Sequence, residues 1–360
     1  MKRKVGKTIL RRCAALLCVA AVVGLLTRYG GQRLALAAAG LRHPEGVFSL
    51  WNEQLTAHAE GGGSLPPLLF GGAGDTTAAD LPTAVVPSVE MPPITMTDPP
   101  GNKGDGGRLV EKKMNTGDRS KGIAITNRSG KTVDIAAALS RDVAVTWEKT
   151  DAPQVLILHT HTTEGYMTYA ADYYNAADRQ RTKDHTRNVC AVGETVRATL
   201  AAHGIAAIHD TTVHDSPVYS GAYTRSAAVA EKYLKEYPSI KVVLDLHRDS
   251  VMDGSVMVRP TATVEGKKAA QMMLITGVVS TDALPHPNWE QNLTLAAHWQ
   301  AALDAVSPDL MRPLNTVASR YNQHLSPGWV LVEMGAEGNT VEEAVYSARI
   351  LGETLAKLLG

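Results

Sequence analysis

The sequence predicts an α/β protein with a mostly parallel, twisted sheet that is covered by helices. From residue 152 onward, short apolar runs that suit buried strands alternate with segments of helical periodicity, the pattern typical of such folds. Three of the apolar runs lead directly into a polar side chain. These runs are residues 155–158 before His159, residues 242–246 before His247, and residues 330–332 before Glu333. Because parallel strands place their carboxyl ends at one edge of a sheet, where ligands bind, we expect a functional site there.

Local patterns predict the individual elements. Four apolar residues between positions 189 and 200 recur at 3-4-4 spacing, and Gly204 follows as a stop, so a helix is predicted over 189–203. Similar patterns predict the remaining elements: strands at 205–208, 242–246 and 272–279, and helices at 222–237, 290–306 and 340–359. The chain shows no internal repeat.

Two further regions are predicted before the main domain. Residues 44–120 are rich in glycine and proline and show no sustained period, so we expect a flexible stalk. Residues 121–150 are predicted to form a small β appendage, because two strand-like stretches flank Asn127-Arg128-Ser129-Gly130, which suits a hairpin turn. The catalytic domain is then expected to span residues 151–360.

The N-terminal segment predicts attachment to a membrane. Basic residues precede an uncharged apolar run, so we expect residues 1–12 to be cytoplasmic and residues 13–27 to form a single transmembrane anchor. The C-terminal domain would then lie on the extracytoplasmic side. The alternative is a cleaved signal sequence with Ala35-Leu36-Ala37 as its cleavage site. Arg28 and Arg33 make a poor approach to such a site, which favours the anchor.

The net charge bears on the class of partner, and the cysteine content bears on disulfides and metal sites. The formal net charge is +0, so the global balance gives no sign of a nucleic-acid partner. Cys190 is the one cysteine after the apolar run, which excludes an intrachain disulfide and a cysteine-based zinc knot in the external part. We expect Cys190 to be a small buried apolar residue on a helix face.

His161 and Glu164 form an H-x-x-E spacing directly after a predicted strand. Three residues of loop can turn both side chains toward one point, and His247 ends another strand. Two histidines and a carboxylate are suitable protein ligands for an open catalytic zinc site, with water in the fourth position. Glu333 would act as general base on that water and then as proton donor to the leaving group. The alternative role for Glu333 is a structural salt bridge.

The third zinc ligand has an alternative. Asp184 or His185 would take the place of Glu164 if the third ligand came from the segment before the predicted 189–203 helix. Because these residues directly precede the helix, they are equally suited to its N-terminal cap region. The spacing alone leaves both interpretations open.

Three residues next to the predicted ligands are expected to support them or to bind substrate. His159 should point to the opposite side of the strand from its neighbour, toward packing or support of the site. Asp245 is close enough in sequence to accept the second N–H group of His247. Arg248 is expected to pair with a carboxylate of the chain or to hold a carboxylate of the substrate.

Several longer motifs follow one another along the chain. They are HTHTTE-x-Y at 159–166, Asn188-Val189 through Val192-Gly193, HDTTVHD-x-P-x-Y at 209–219, Gly221-Ala222-Tyr223-Thr224-Arg225-Ser226, DLHRD at 245–249, Tyr321-Asn322-Gln323 and VEMGAEGNT at 332–340. On these motifs the chain resembles the stage II sporulation protein P family over roughly residues 121–360. An N-terminal anchor and a low-complexity stalk also belong to the layout of that family.

The resemblance implies an N-acetylmuramoyl-L-alanine amidase and leaves open an additional endopeptidase activity. Members are membrane-anchored peptidoglycan hydrolases of endospore-forming bacteria that work with stage II sporulation proteins D and M during engulfment of the forespore. The resemblance further implies Zn²⁺ as cofactor and a location in the intermembrane space around the forespore. It also implies a domain similar to zinc cell-wall amidases and, more distantly, to zinc carboxypeptidases.

The resemblance assigns roles to particular residues. The ligands and catalytic glutamate of the amidases match His161, Glu164 or Asp184, His247 and Glu333. The amidases take their acidic ligand from the start of the first helix, nearer Asp184, whereas the carboxypeptidase-like H-x-x-E arrangement favours Glu164. Arg225 lies where the amidases keep an arginine.

We therefore expect zinc-activated attack of water on the amide that joins muramic acid to its stem L-alanine. One alternative is a zinc endopeptidase that cuts peptide cross-bridges, which would share the metal site. Another is a wall-binding factor without activity. The presence of His161, His247 and Glu333 together argues against the binding factor, because a binding module has no need of all three.

Overall fold

A seven-stranded sheet is the centre of the fold in this computed structural model, which describes residues 92–101, 105–114, 119, 122–179, 181–281 and 283–360. All of these residues belong to one unit, Gly61–Gly360. In spatial order the sheet contains β2 (Ile125–Asn127), β11 (Leu314–Val317), β10 (Met272–Gly277), β12 (Trp329–Ala336), β6 (Val242–Asp249), β3 (Val155–Leu158) and β5 (Ala207–His209). Neighbouring strands are parallel except for β10 and β12. This topology confirms the predicted α/β class.

Helices cover both faces of the sheet. They are α1 (Ile135–Ser140), α2 (Val189–Ala202), α3 (Ala222–Glu236), α4 (Trp289–Val306) and α5 (Val341–Leu358). Alternate residues of the central strands face opposite layers. Leu156 and Val243 pack on the side of α3, whereas Ile157 and Leu244 belong to the larger core that includes α2, α4 and α5. The apolar runs are therefore continuous because the strands are buried on both faces.

The helix ends follow from the capping residues. The side chain of Asn188 accepts a hydrogen bond from the N–H of Cys190 at the start of α2, and Gly204 follows this helix at φ 74°. At the start of α5, Thr340 and Glu343 form a reciprocal capping box. The four predicted helices are confirmed, with ends that differ from the prediction by one residue at most.

The sequence patterns give no indication of a second sheet, which has five strands within the described residues. It contains β4 (Tyr173–Tyr174), β1 (Gly107–Lys112), β8 (Val256–Val264) and β7 (Met252–Asp253) in that order, and β9 (Lys267–Ala270) pairs with β8. The prediction of a flexible stalk over 44–120 is wrong for residues 107–112. These residues pair in parallel with β8 and bury Leu109. The pairing joins segments that are far apart in sequence, so the glycine content of the segment gives no sign of it.

The predicted β appendage over 121–150 is also wrong. Within the described residues 122–150, β2 is the one strand, and it joins the main sheet beside β11. The expected second strand is replaced by α1, whose N-cap Asp134 accepts a hydrogen bond from the N–H of Ala137. Asn127 still turns the chain, because its Oδ1 atom accepts the N–H of Ser129 at 3.0 Å. Residues 122–150 are therefore part of the main domain.

The cytoplasmic segment 1–12, the anchor 13–27 and the part of the stalk that precedes residue 92 lie outside the described residues. Among the residues that are described, no helix has both the length and the hydropathy that a membrane span requires.

Candidate metal centre

Two adjacent strands and the loop after β3 bring His161, Glu164 and His247 to one point. β3 pairs with β6 so that Leu158 lies opposite Asp245, and the chain leaves β3 into the HTHTTE segment. All three side chains are buried. One ligand atom from each lies within 4.8 Å of the ligand atoms of the other two.

One of the two ring nitrogens of His161 has no hydrogen-bond partner among the described residues. Its Nε2 atom lies 3.0 Å from the hydroxyl of Tyr219, and the two rings stack with centroids 4.5 Å apart. Its buried Nδ1 atom has no hydrogen-bond partner among the described residues. Burial lowers the pKa of His161 to about 4, so its ring is neutral at pH 7, the form that binds metal ions.

Glu164 is a buried carboxylate that is held from three directions. Its Oε2 atom accepts the backbone N–H of Arg248 at 2.9 Å and lies 3.5 Å from Nδ1 of His247. Its Oε1 atom lies 3.5 Å from a guanidinium nitrogen of Arg181. Burial raises the pKa of Glu164, but the hydrogen bond and charge of His247 and the charge of Arg181 outweigh it, and the pKa falls well below its usual range.

His247 lies between two carboxylates. Its Nε2 atom lies 2.9 Å from Oδ1 of Asp245, an ion-pair contact without hydrogen-bond geometry, and its Nδ1 atom lies 3.5 Å from Oε2 of Glu164. Asp245 in turn accepts the backbone N–H and the hydroxyl of Thr160 at 2.8 and 2.7 Å. Burial lowers the pKa of His247, but the two carboxylates raise it well above the usual value. A metal-binding histidine typically has such a carboxylate behind its second nitrogen.

These residues fit a zinc ion. Two imidazoles and one carboxylate match the three protein ligands of an open catalytic zinc site. The unpartnered Nδ1 of His161 is a buried polar atom that a metal ion would satisfy. Glu164 and Asp245 also place two carboxylates with lowered pKa values around His247, so the centre favours added positive charge.

Glu333 lies beside this centre on β12, directly opposite His247 of β6. The residue is half-buried, and its Oε2 atom is buried without a hydrogen-bond partner among the described residues. Burial, and next the charge of Asp249, raise the pKa of Glu333 to about 8, and His247 opposes this shift. No salt bridge of Glu333 occurs within the described part of the chain. The geometry therefore fits a proton-transfer group better than a structural ion pair.

Comparison with known proteins places the chain in a family. Residues 102–356 match the model of the family described as stage II sporulation protein P (SpoIIP). The chain belongs to this family. A comparison with curated proteins finds no match for this SpoIIP family member.

A comparison with solved structures finds amidases at low similarity. An N-acetylmuramoyl-L-alanine amidase from Clostridium difficile 630 is 15% identical, with a TM-score of 0.35 over 58% of this chain and 95% of that one. Ami1 from Mycobacterium smegmatis is 15% identical, with a TM-score of 0.34 over 59% and 99%. The CwlD amidase from Clostridioides difficile, in complex with the GerS lipoprotein, is 13% identical, with a TM-score of 0.33 over 57% and 94%. These scores are low, and the fold class rests on the sheet topology.

The alternative ligands in this SpoIIP family member lie outside the buried group. Asp184 is exposed, and its Oδ1 atom accepts the N–H and the hydroxyl of Thr186, at 3.0 and 2.7 Å. His185 is also exposed. Both belong to the turn before α2. The structure brings Glu164 rather than either of them to the two histidines, and its role as metal ligand stays a prediction.

His159 takes no part in the buried group. Its Nδ1 atom lies 2.9 Å from the carbonyl oxygen of Leu246, and its Nε2 atom lies 2.9 Å from Nε2 of His209. A Cβ atom on Gly193 would overlap the His209 ring and come within 2.8 Å of His159, so only glycine fits there. Burial and the neighbouring His209 lower the pKa of His159 to about 3. These contacts agree with a packing role.

The two predicted arginines hold loops of the site. Arg248 is buried, and its Nε atom donates to the carbonyl of Gly165 at 3.0 Å. Arg225 donates to the carbonyls of His214, Val218 and Ser220. It thereby fixes the loop that precedes α3. Substrate binding by either arginine stays a prediction.

The sequence patterns did not identify Arg181 or Tyr219, and they did not indicate that Asp215 contacts the HTHTTE segment. Asp215 accepts hydrogen bonds from the hydroxyl of Thr163 at 2.7 Å and from Arg181 at 2.6 Å. The guanidinium of Arg181 lies over the Tyr219 ring, 4.8 Å from its centroid. Asp215 and Tyr219 belong to the HDTTVHD-x-P-x-Y motif, so their presence in a long motif was the available signal.

The two candidate acidic ligands can be separated by substitution. We expect Glu164→Gln to weaken zinc binding by at least about 100-fold, because loss of a direct ligand should exceed the roughly 10–100-fold effect of indirect support. The matched variant Asp184→Asn should leave zinc affinity unchanged, because its side chain caps an exposed turn. Competition with a chelator measures both. The reverse result would assign the ligand to Asp184.

The raised pKa of Glu333 predicts a pH-dependent cost in the metal-free protein. Its pKa rises from 4.5 to about 8 on folding, so stability is lost as the pH increases between these values. We expect Glu333→Gln to raise the free energy of unfolding by about 1–3 kcal/mol at pH 8.5 and by much less at pH 5. Urea unfolding with a chelator measures this, with the exposed Glu342→Gln as control. Equal effects at both pH values would contradict it.

Proposed function

We propose that the protein is a zinc-dependent peptidoglycan hydrolase, an N-acetylmuramoyl-L-alanine amidase that acts during sporulation. The observation that carries this proposal is the buried group of His161, Glu164 and His247 beside the unpartnered carboxyl of Glu333. Membership of the stage II sporulation protein P family supports a role in sporulation. The amidases with partly similar folds are consistent with the substrate but do not carry the argument.

Three side chains would hold the metal ion: His161, Glu164 and His247. Zinc at that position would supply Lewis acidity, which activates a water molecule and polarises the scissile carbonyl. Asp245 lies 2.9 Å from Nε2 of His247, so His247 would bind the ion through Nδ1. The loop segment 160–164 is fixed by Asp245 and Asp215, so the ligands do not have to be ordered when the ion binds.

Glu333 would move the proton. It would accept a proton from the attacking water and then deliver it to the nitrogen of the stem L-alanine as the amide breaks. Burial suits this task, because it raises the pKa of Glu333 to about 8 before any cation is bound. A divalent cation nearby would lower that pKa again, toward a value at which the carboxylate can act as a base near neutral pH.

We further propose that the protein works at the membrane, on the extracytoplasmic side. The basic and apolar N-terminal segment supports a single-pass anchor with this orientation. The family resemblance suggests the space around the engulfed forespore and stage II sporulation proteins D and M as partners. A zinc endopeptidase that cuts cross-bridges is the alternative, because it would use the same centre.

Substitution of Glu333 tests the proposed function. We expect Glu333→Gln to retain bound zinc and to lower the release of stem peptides from purified cell walls by about 10²–10⁴-fold, because the variant lacks the proton acceptor. Mass spectrometry of the products distinguishes an amidase, which creates a free L-alanine amine, from an endopeptidase, which cuts within peptides. The exposed Glu342→Gln variant serves as control. A fully active Glu333→Gln protein would exclude Glu333 as the base.

A further inference from the structure

A cavity of about 490 Å³ shares Tyr223 with the candidate metal centre. The ring of Tyr223 lies 5.6 Å from that of His161 and 6.3 Å from that of His247, measured between centroids. The same side chain lines the cavity together with Tyr321, whose ring is 5.3 Å from that of Tyr223. A substrate held at the metal centre would therefore have this cavity directly beside its reacting bond.

The wall of the cavity is fixed before any ligand binds. Tyr321 and Asn322 both have left-handed backbone angles, with φ of 45° and 61°, which is a strained conformation for residues other than glycine. The side chain of Asn322 donates to the carbonyl of Tyr223 at 2.8 Å and to the hydroxyl of Ser226 at 3.1 Å. Such strain is tolerated where neighbouring contacts determine the geometry, and it occurs often at binding sites.

The guanidinium of Arg320 gives the cavity a positively charged group. Arg320 is anchored at one end, because its Nη1 atom donates to the carbonyl of Pro285 at 2.7 Å, its one hydrogen bond within the described residues. A guanidinium carries five N–H groups, so a carboxylate can still pair with it. Thr281 and Ser319 add hydroxyl groups, and the exposed Leu284 adds an apolar rim.

The charge of Glu333 acts on two tyrosines that line the cavity. Burial is the main cause of the raised pKa of Tyr321, and the charge of Glu333 raises it further. Burial is also the main cause of the raised pKa of Tyr223, and the charges of Asp245, Glu333 and Glu164 raise it further. In the proposed reaction Glu333 gives its proton to the leaving amine. The part of the substrate that carries this amine should therefore extend toward Tyr223 and Tyr321.

We propose that this cavity is the subsite for the leaving-group peptide, with Arg320 pairing with one of its carboxylates. The inference rests on the proposed function. The stem peptide of peptidoglycan carries free carboxylates, whereas the sugar rings to which it is linked are neutral, so an arginine in the cavity favours the peptide. Tyr321 and Leu284 provide apolar surface for the peptide side chains.

Two substrates that differ only in the charge of their carboxyl groups test this subsite. The probes are N-acetylmuramoyl tetrapeptide with free carboxylates and the same fragment with its carboxylates amidated. For the full chain loaded with zinc, we expect Arg320→Gln to lower kcat/KM on the acidic fragment by about 10–100-fold, mainly through KM, because a charge-assisted pair is lost. On the amidated fragment the loss should stay below about threefold. Arg320→Lys should recover part of the activity on the acidic fragment.

The control variant is Arg349→Gln, which removes the same charge from α5, where Arg349 pairs with Glu353. This variant should leave kcat/KM unchanged on both fragments. If Arg320→Gln lowers kcat/KM equally on both fragments, Arg320 only supports the loop and the proposal fails. An unchanged KM on the acidic fragment would also overturn the proposal.

Binding measurements keep the subsite separate from the proposed function. In a Glu333→Gln background, calorimetry should show that Arg320→Gln weakens binding of the acidic fragment and not of the amidated one. If the wild-type chain cleaves neither fragment, the proposed activity fails. The subsite then stands or falls on this binding difference alone, and equal affinities for the two fragments would refute it.

Discussion

The buried negative charge of Glu164 is the constraint on which the centre depends. A carboxylate away from water is costly unless it is paired and hydrogen-bonded. Here the backbone N–H of Arg248, the ring of His247 and the guanidinium of Arg181 surround it. His161 nevertheless leaves a buried nitrogen unsatisfied within the described part of the chain. A divalent cation would join all these groups, which explains why so polar a cluster is kept at the edge of an apolar sheet.

The sheet makes this arrangement possible through its register. β3 and β6 are parallel neighbours, so the loop after β3 starts next to Asp245. Asp245 accepts a hydrogen bond from the hydroxyl of Thr160 and lies beside the ring of His247. β12 pairs with β6 on its other side and places Glu333 opposite His247. Three consecutive strands thus supply the loop, the second histidine and the proton-transfer group. The apolar packing of the strands on both faces fixes the distances between these groups.

The sequence predicts those parts of the molecule that local patterns encode. β3, β6 and β12 are apolar runs long enough to recognise, and their polar endings identify His161, His247 and Glu333. The short strands of the second sheet exist through pairing between distant segments, so β1 resembles a stalk and the region around α1 resembles a hairpin. The choice between Glu164 and Asp184 depends on how a loop folds back on the sheet, which spacing alone does not determine. The contacts of Arg181 with Glu164, Asp215 and Tyr219 also join residues that are distant in sequence, so spacing does not predict them.

Anomalous diffraction at the zinc edge from crystals of the zinc-loaded protein is the most direct measurement of the central claim. We expect one strong peak within about 2.0–2.2 Å of a nitrogen of His161, a nitrogen of His247 and an oxygen of Glu164. A peak that contacts only one of these side chains, or a zinc ion held by Asp184 or His185 in place of Glu164, would contradict it.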